Sequence, residues 1–216
     1  MFLLSILSAY SIVIAATIGL IRFRSIHKTY RPFVFICWAA LFNEITSTIS
    51  LSVTGSNNSN YNIYGIVEAM LYMWLFKGWG HFSNKRRSYV FIIPLLCIVW
   101  TFDNFILKHF WETDYLYMVI YSFTLVFLAI NEINLIVMNH RGGLFSDSRF
   151  LICLGIVIFF TYFVTIAIFN LLELNFSLLF YSHIYMVLQA VNILINLVYA
   201  LALLWAPKKQ RFILQF

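Results

Sequence analysis

Seven long apolar stretches alternate with short polar connections along the chain. Each stretch holds about 20 residues, the length at which an α-helix crosses a hydrocarbon core of about 30 Å. Because only short connections lie between the stretches, we expect an all-α, polytopic membrane protein that forms a single seven-helix transmembrane domain (1–216). The predicted spans are about 3–21, 32–53, 62–80, 89–107, 115–138, 149–170 and 179–205.

The third predicted span, 62–80, carries polar side chains at helical spacing. Glu68 lies well inside the apolar run, and Tyr61, Tyr64 and Tyr72 follow it or precede it at steps of three and four. Residues at these steps share one face of a helix. A carboxylate facing lipid is costly, so we expect this face to look into a protein interior or a wet cavity.

Basic residues predict how the bundle is oriented. Twelve of the 14 Lys and Arg residues lie in the tail and in the connections after the first, third and fifth spans. Lys77 adds to that side and Lys108 lies opposite, where the connections carry the acidic residues Asp103, Glu112, Asp114 and Glu173. The positive-inside rule therefore predicts an outside N-terminus and a cytoplasmic C-terminus. The net charge of +6 is explained by topology and lipid headgroups, so we expect no nucleic-acid partner.

Composition supports an integral membrane protein. The chain is 62% hydrophobic and 10% charged, whereas soluble domains average about 25% charged residues. The N-terminus lacks a basic segment ahead of the first apolar run, which favours a retained first helix over a cleaved signal peptide. The three cysteines fall inside apolar runs and are expected to be packing residues.

Three acidic residues lie inside predicted spans: Glu44, Glu68 and Glu132. A rise of about 1.5 Å per residue places Glu44 near mid-membrane, Glu68 in the outer third and Glu132 in the inner third. None has a basic residue four positions away in its own helix. Each must therefore be protonated or bonded to a neighbouring helix.

Amide and phenol side chains accompany these carboxylates. The last span carries Tyr185, Gln189, Asn192, Asn196 and Tyr199 at steps of three and four, a polar seam along one face. We predict a polar pathway walled by the second, third, fifth and seventh spans. Its predicted residues are Glu44, Glu68, Glu132, Asn43, Tyr72, Asn131, Gln189, Asn192 and Asn196.

A structural alternative applies to the amides, which can hold helices together at about 0.6 kcal/mol per hydrogen bond. It applies less well to the carboxylates, because uncharged side chains would join helices at lower cost. The triplet Asn43-Glu44-Ile45 recurs as Asn131-Glu132-Ile133. In an inverted repeat of three plus three helices the two triplets would correspond.

Motifs for catalysis or cofactor binding are not found. The five histidines lack HExxH spacing and are interpreted as interfacial residues. The chain has no GxSxG motif, no Gly-rich phosphate loop and no CxxC pair, and the last span has no Lys for a retinal Schiff base. We therefore expect no metal, no cofactor and no enzymatic activity.

The segments NIYGIVEAMLYMWLF and HIYMVLQAVNILINLVYALALLW resemble small seven-helix membrane proteins of Bacteroidota. The resemblance implies a bacterial inner (plasma) membrane setting and draws attention to Glu68. No function comes with it.

The leading hypothesis is a transporter or channel-like protein that moves an ion, protons included, or a small polar solute along the carboxylate-lined pathway. One alternative is a seven-helix sensor or receptor subunit that signals through a separate partner. Another is a membrane scaffold subunit of a larger complex. The expected partners are the lipid bilayer and the solute, with homo-oligomerisation or a membrane partner protein left open.

Overall fold

The computed structural model describes residues 2–82, 86–107, 110–139, 143–174 and 176–209, without the side chains of Phe2 and residues 86–88. Regular structure within these residues is helical, apart from one antiparallel bridge between Ile26 and Lys208. The α-helices are α1 (Phe2–Tyr10), α2 (Ile12–Arg22), α3 (Arg31–Thr54), α4 (Asn58–Gly78), α5 (Arg86–Phe102), α6 (Tyr115–Asn139), α7 (Ser148–Leu171) and α8 (Leu178–Trp205).

These helices account for the seven predicted spans. Only Ser11 separates α1 from α2, and the two together form the first span, Leu3–Arg22. Among the described residues, six helical segments are long and apolar enough to cross a membrane. The exception is α4, the predicted third span, because its first half is rich in Asn and Tyr and contains Glu68.

Local sequence explains where the helices begin and end. Gly55 adopts φ +74°, which favours glycine, and its N–H donates to the Leu51 carbonyl to close α3. The Asp147 carboxylate caps α7 by accepting from the backbone N–H of Arg149 at 2.7 Å. Ser177 Oγ caps α8 by accepting from the backbone N–H of Phe180 at 3.2 Å. These caps define where the two helices begin.

The break in the first span is held by α8. The Asn196 amide donates to Ser11 Oγ at 2.7 Å, and the Asn192 amide donates to Ser8 Oγ at 3.0 Å. Ser11 in turn donates to the Ser8 carbonyl at 2.8 Å. Side-chain amides thus satisfy the polar groups at the junction of α1 and α2, as expected for interhelical contacts in lipid.

Large apolar side chains cover the outside of the bundle. Phe91, Phe127 and Met138 are 69%, 67% and 82% exposed. A water-soluble protein rarely exposes so many such side chains together, whereas a lipid-facing surface is built from them. This belt supports the assignment to a membrane.

The two ends of the bundle differ in charge. We call the end near Arg22, Lys77 and Arg149 the basic end, and the end near Asp103 and Asp114 the acidic end. The predicted basic residues Lys85, Lys108, Arg141 and Arg211 lie outside the described residues.

Arg22 binds the C-terminal end of α8 at the basic end. Its guanidinium donates to the carbonyls of Leu203, Leu204 and Ala206, at 2.7 Å to the first and 2.9 Å to the last. These carbonyls belong to the last turn of α8 and the residue after it, where the helix dipole favours a cation.

Candidate functional site

A cavity of about 510 Å³ lies inside the bundle. At the acidic end Asn57 and Thr113 line it, and on the opposite side it extends to Tyr72, Ile195 and Tyr199, past the middle of the bundle. Helices α1, α2, α3, α4, α6, α7 and α8 contribute to its walls. The prediction named α3, α4, α6 and α8 as walls, and the structure adds the first span and α7.

Glu68 sits in the cavity wall with both carboxylate oxygens occupied. The Tyr64 hydroxyl, one turn earlier on α4, donates to Oε1 at 2.8 Å, and the Tyr121 hydroxyl on α6 donates to Oε2. The Tyr121 ring stacks on Tyr117 with the two planes at 7°, and the Tyr117 hydroxyl donates to the Gly65 carbonyl at 3.3 Å. Glu68 is therefore bonded to a neighbouring helix, one of the two states the sequence allows.

Glu44 lines the same cavity from α3 but has a different environment. Its carboxylate has no hydrogen bond or ion pair with any residue that the structure describes. The adjacent Asn43 is buried, and its Oδ1 accepts from the Asn60 amide at 2.8 Å. Asn43 therefore joins α3 to α4, while Glu44 keeps an unused carboxylate at the cavity surface.

Asp114 adds a third carboxyl group to the cavity lining at the acidic end. It is 1% exposed, and the Asn104 amide donates to its Oδ2 at 3.1 Å. Burial, with a smaller contribution from nearby Asp103, raises the pKa of Asp114 to about 7, while the Asn104 bond opposes the change.

A π-helical turn at Asp103–Leu107 extends α5 and positions this corner of the site. Asp103 Oδ2 accepts from the Tyr117 N–H at 2.9 Å, which ties the turn to the first residues of α6. Sequence reasoning used Asp103 and Asp114 only as topology markers. No local signal showed that folding buries them, since their partners lie 10 or more residues away.

Aromatic rings form much of the cavity wall. Phe160 on α7 makes edge-to-face contacts with Tyr72 and Tyr121, at centroid distances of 5.9 Å and 5.3 Å. Eight tyrosines line the cavity: Tyr61, Tyr64, Tyr72, Tyr115, Tyr117, Tyr121, Tyr185 and Tyr199. The wall thus combines rigid apolar surface with hydroxyl groups, a lining typical of small-molecule sites.

The structure brings together most of the predicted pathway residues. Those that line the cavity are Glu44, Glu68, Asn43, Tyr72, Gln189, Asn192 and Asn196. The whole predicted seam of α8, Tyr185 to Tyr199, faces it. Asn192 also bonds to Ser8 of α1 and Asn196 to Ser11 between α1 and α2, so these amides serve the packing of the bundle as well.

Glu132 and Asn131 do not line this cavity. Glu132 borders a separate pocket of about 320 Å³ at the basic end, with His81 and Arg149. Glu132 Oε2 lies 3.0 Å from His81 Nδ1, and Oε1 lies 3.8 Å from Arg149 Nη1. The Asn131 amide lies 3.3 Å from the other ring nitrogen, His81 Nε2.

His81 is the residue that sequence reasoning misjudged. It was interpreted as interfacial, yet its side chain is 3% exposed and pairs with a carboxylate that is 5% exposed. A usable signal was present, because a carboxylate in the inner third of a span needs a partner from another helix. His81 follows the end of α4 at that depth.

Fully buried side chains separate the cavity from the pocket. Along α4, Met73, Leu75 and Phe76 follow the cavity residue Tyr72 and precede the pocket residue Trp79, and each is 0% exposed. Phe33 of α3 is buried beside them. We call Phe33, Met73, Leu75 and Phe76 the plug.

Within the described residues, no group of three or more His, Cys, Asp or Glu side chains has a geometry that could hold a metal ion. His109 and His140 lie outside those residues.

Comparisons of the chain with protein-family models, curated proteins and solved structures return no match. The resemblance to seven-helix membrane proteins of Bacteroidota stays a prediction.

Proposed function

We propose that the protein is a carrier that binds a small solute in the cavity and moves it across a bacterial inner membrane. The observation that supports this most strongly is the cavity itself, which places polar side chains from six spans around one space of about 510 Å³. Intramembrane carboxylates are costly and typically mark solute or ion pathways. A volume in this range suits a small organic ligand.

The plug favours a carrier over an open channel. Because buried side chains separate the cavity from the basic-end pocket, passage requires the helices around Met73 and Phe76 to rearrange. Alternating access is a rearrangement of this kind, in which one part of a bundle rocks against another around a fixed site. In such a cycle the plug would keep the basic side of the cavity closed.

Orientation follows from the positive-inside rule. With the basic end in the cytoplasm, the N-terminus lies outside and the C-terminus inside, and the cavity lies on the outer side of the plug. A carrier oriented in this way would bind an external solute in the cavity.

The pocket at the basic end is suited to a role as the inner gate. Glu132 contacts His81 after the end of α4 and Arg149 at the start of α7, so the three side chains join α6 to its two neighbours. Opening toward the cytoplasm would separate these elements.

The proposal is tested in vesicles reconstituted with the purified protein. A panel of amines, amino acids and sugars is offered, and accumulation of each solute is measured. We expect accumulation of one solute class, its loss in Glu68→Gln, and its retention in Glu173→Gln, which removes a charge at the acidic end away from the cavity. Accumulation that is equal in both variants would rule out the proposed pathway.

A sensor is the second candidate, and the same plug supports it. A cavity closed at one end can hold a ligand without passing it on, and binding would then bias two arrangements of the helices. Because the connections at the basic end are short, the signal would pass to a separate membrane partner. Ligand binding without accumulation, together with a co-purifying regulatory protein, would favour this function over transport.

A further inference from the structure

The charged side chains among the described residues that line the cavity are all acidic. Among the described residues that line it, Glu44, Glu68 and Asp114 carry carboxyl groups, and none is Lys, Arg or His. The Lys and Arg residues that the structure describes lie toward the other end of the bundle. An anionic ligand would meet only repulsion in this space, whereas a cation would find charge of opposite sign in a region of low dielectric.

The two deeper carboxylates are not equivalent. Both oxygens of Glu68 already accept phenol hydrogen bonds, so Glu68 holds the rings of Tyr64 and Tyr121 in place. Glu44 has no partner among the described residues. Glu44 is half-buried at the cavity surface, where a carboxylate without a partner is unfavourable, and a bound cation would reduce that penalty.

Tyrosine rings surround these carboxylates. Tyr61 lies close enough to interact electrostatically with both Glu44 and Glu68, and Tyr64 does the same. The face of a tyrosine ring attracts a cation, and the attraction grows when water is excluded. Substituted ammonium groups are suited to such walls because their carbon surface contacts the rings while their charge meets the carboxylate.

An inorganic ion fits this lining less well. A small metal cation needs several oxygen ligands at close range, and no group of three or more acidic or histidine side chains among the described residues provides them. The cavity volume of about 510 Å³ also exceeds what a bare ion fills.

We propose that the ligand of this cavity is a small organic cation, an amine or quaternary ammonium compound, whose charged group binds at Glu44 between the Tyr61 and Tyr64 rings. This assignment rests on the proposed role of the cavity as a solute site, and it specifies the substrate class. Glu68 acts as a positioning residue that fixes the Tyr64 and Tyr121 rings.

The test is binding of three probes to the full-length protein in detergent, measured by titration calorimetry. The probes are tetramethylammonium, choline and dimethylbutanol, the uncharged carbon analogue of choline. We expect choline to bind at least about tenfold more tightly than dimethylbutanol, a difference of about 1.4 kcal/mol. Equal affinities, or no binding of either cation by the folded protein, would overturn the proposal.

Variants of Glu44 and Tyr61 test whether this carboxylate and this ring bind the cation. Glu44→Gln should weaken choline binding about tenfold or more and leave dimethylbutanol unchanged, while Glu173→Gln should alter neither. Tyr61→Phe keeps the ring and should retain choline binding, whereas Tyr61→Leu should lose most of it. Size-exclusion profiles confirm that each variant is folded, and Glu68→Gln gives a second charge change if Glu44→Gln fails this check. Unchanged choline affinity in Glu44→Gln would refute the placement of the site.

The same vesicles separate this proposal from the transport function. Choline that binds but does not accumulate would refute transport and leave the cation site intact. Accumulation of a neutral or anionic solute that depends on Glu68, without choline binding, would refute the cation site and leave transport intact.

Discussion

The pair formed by Glu132 and His81 allows a quantitative prediction about stability. His81→Leu leaves a carboxylate that is 5% exposed with Arg149, at 3.8 Å, as its one ion-pair partner among the described residues, and the Arg149 side chain is itself 36% exposed. Breaking a buried pair in this way typically costs about 3–5 kcal/mol, because one charge stays buried without compensation. We expect about 3 kcal/mol, since Arg149 supplies part of what His81 provided.

Removing the carboxylate should cost much less. In Glu132→Gln the amide oxygen can still accept from His81, so we expect a loss of about 1 kcal/mol. The double variant, His81→Leu with Glu132→Leu, replaces the pair by apolar side chains. Such replacements are often close to neutral, so the double variant should be more stable than His81→Leu alone. Arg149 can turn to water and keeps its contact with the Trp79 ring.

The assay is unfolding of the purified protein in mixed micelles by increasing SDS, followed by the fluorescence of its six tryptophans. Glu173→Gln serves as the control and should unfold like the unmodified protein. The cycle is closed by the single variant Glu132→Leu. If the double variant loses the sum of the losses of His81→Leu and Glu132→Leu, Glu132 and His81 do not interact energetically, and the gate assigned to them is refuted.

Three further predictions follow from the geometry. Gly155→Ala should lower the free energy of unfolding by about 1–3 kcal/mol and weaken solute binding, because the added Cβ would overlap the Tyr199 ring. Gly143→Ala, whose added Cβ meets nothing closer than 3.8 Å, is the control, and SDS unfolding and calorimetry compare the two variants. Choline affinity should rise as the pH rises through about 7, since Asp114 then becomes ionised and attracts the cation. In calorimetric titrations from pH 6 to about 8, Asp114→Asn should make choline affinity nearly independent of pH. Asn196→Ala should lower the free energy of unfolding in SDS by about 0.6 kcal/mol, because it removes the hydrogen bond from Asn196 to Ser11 Oγ. A loss of several kcal/mol would show that Asn196 stabilises the bundle by more than this one hydrogen bond.

Helical periodicity predicted a large part of the candidate site. Glu68 and Tyr72 fall on one face of α4 at a step of four, and Gln189, Asn192 and Asn196 do the same on α8. Both faces look into the cavity because a polar stripe in an apolar helix has lower free energy inside a protein than in lipid. The position of each stripe was therefore predictable from its own helix.

The depth of a residue along its helix did not predict which residues line the same cavity. Glu132 lies 11 residues after Tyr121 on α6, about three helical turns, so the two residues share a side of that helix. They nevertheless belong to different sites, since Tyr121 lines the cavity and Glu132 lines the pocket at the basic end. The plug is built from apolar residues of α3 and α4, and its position depends on how those helices pack.

The helical class, the approximate bounds of the long helices and the polar faces of α4 and α8 could be read from the amino-acid sequence. These properties follow from the length of apolar runs, the rise per residue and the periodicity of a single helix. Three features came from the packing of the helices: Glu44 has no hydrogen-bond or ion-pair partner among the described residues, His81 and Arg149 meet Glu132, and buried side chains lie between the cavity and the pocket. Those facts depend on contacts between helices far apart in the chain, whose distances and rotations are set by the packing of all the spans together.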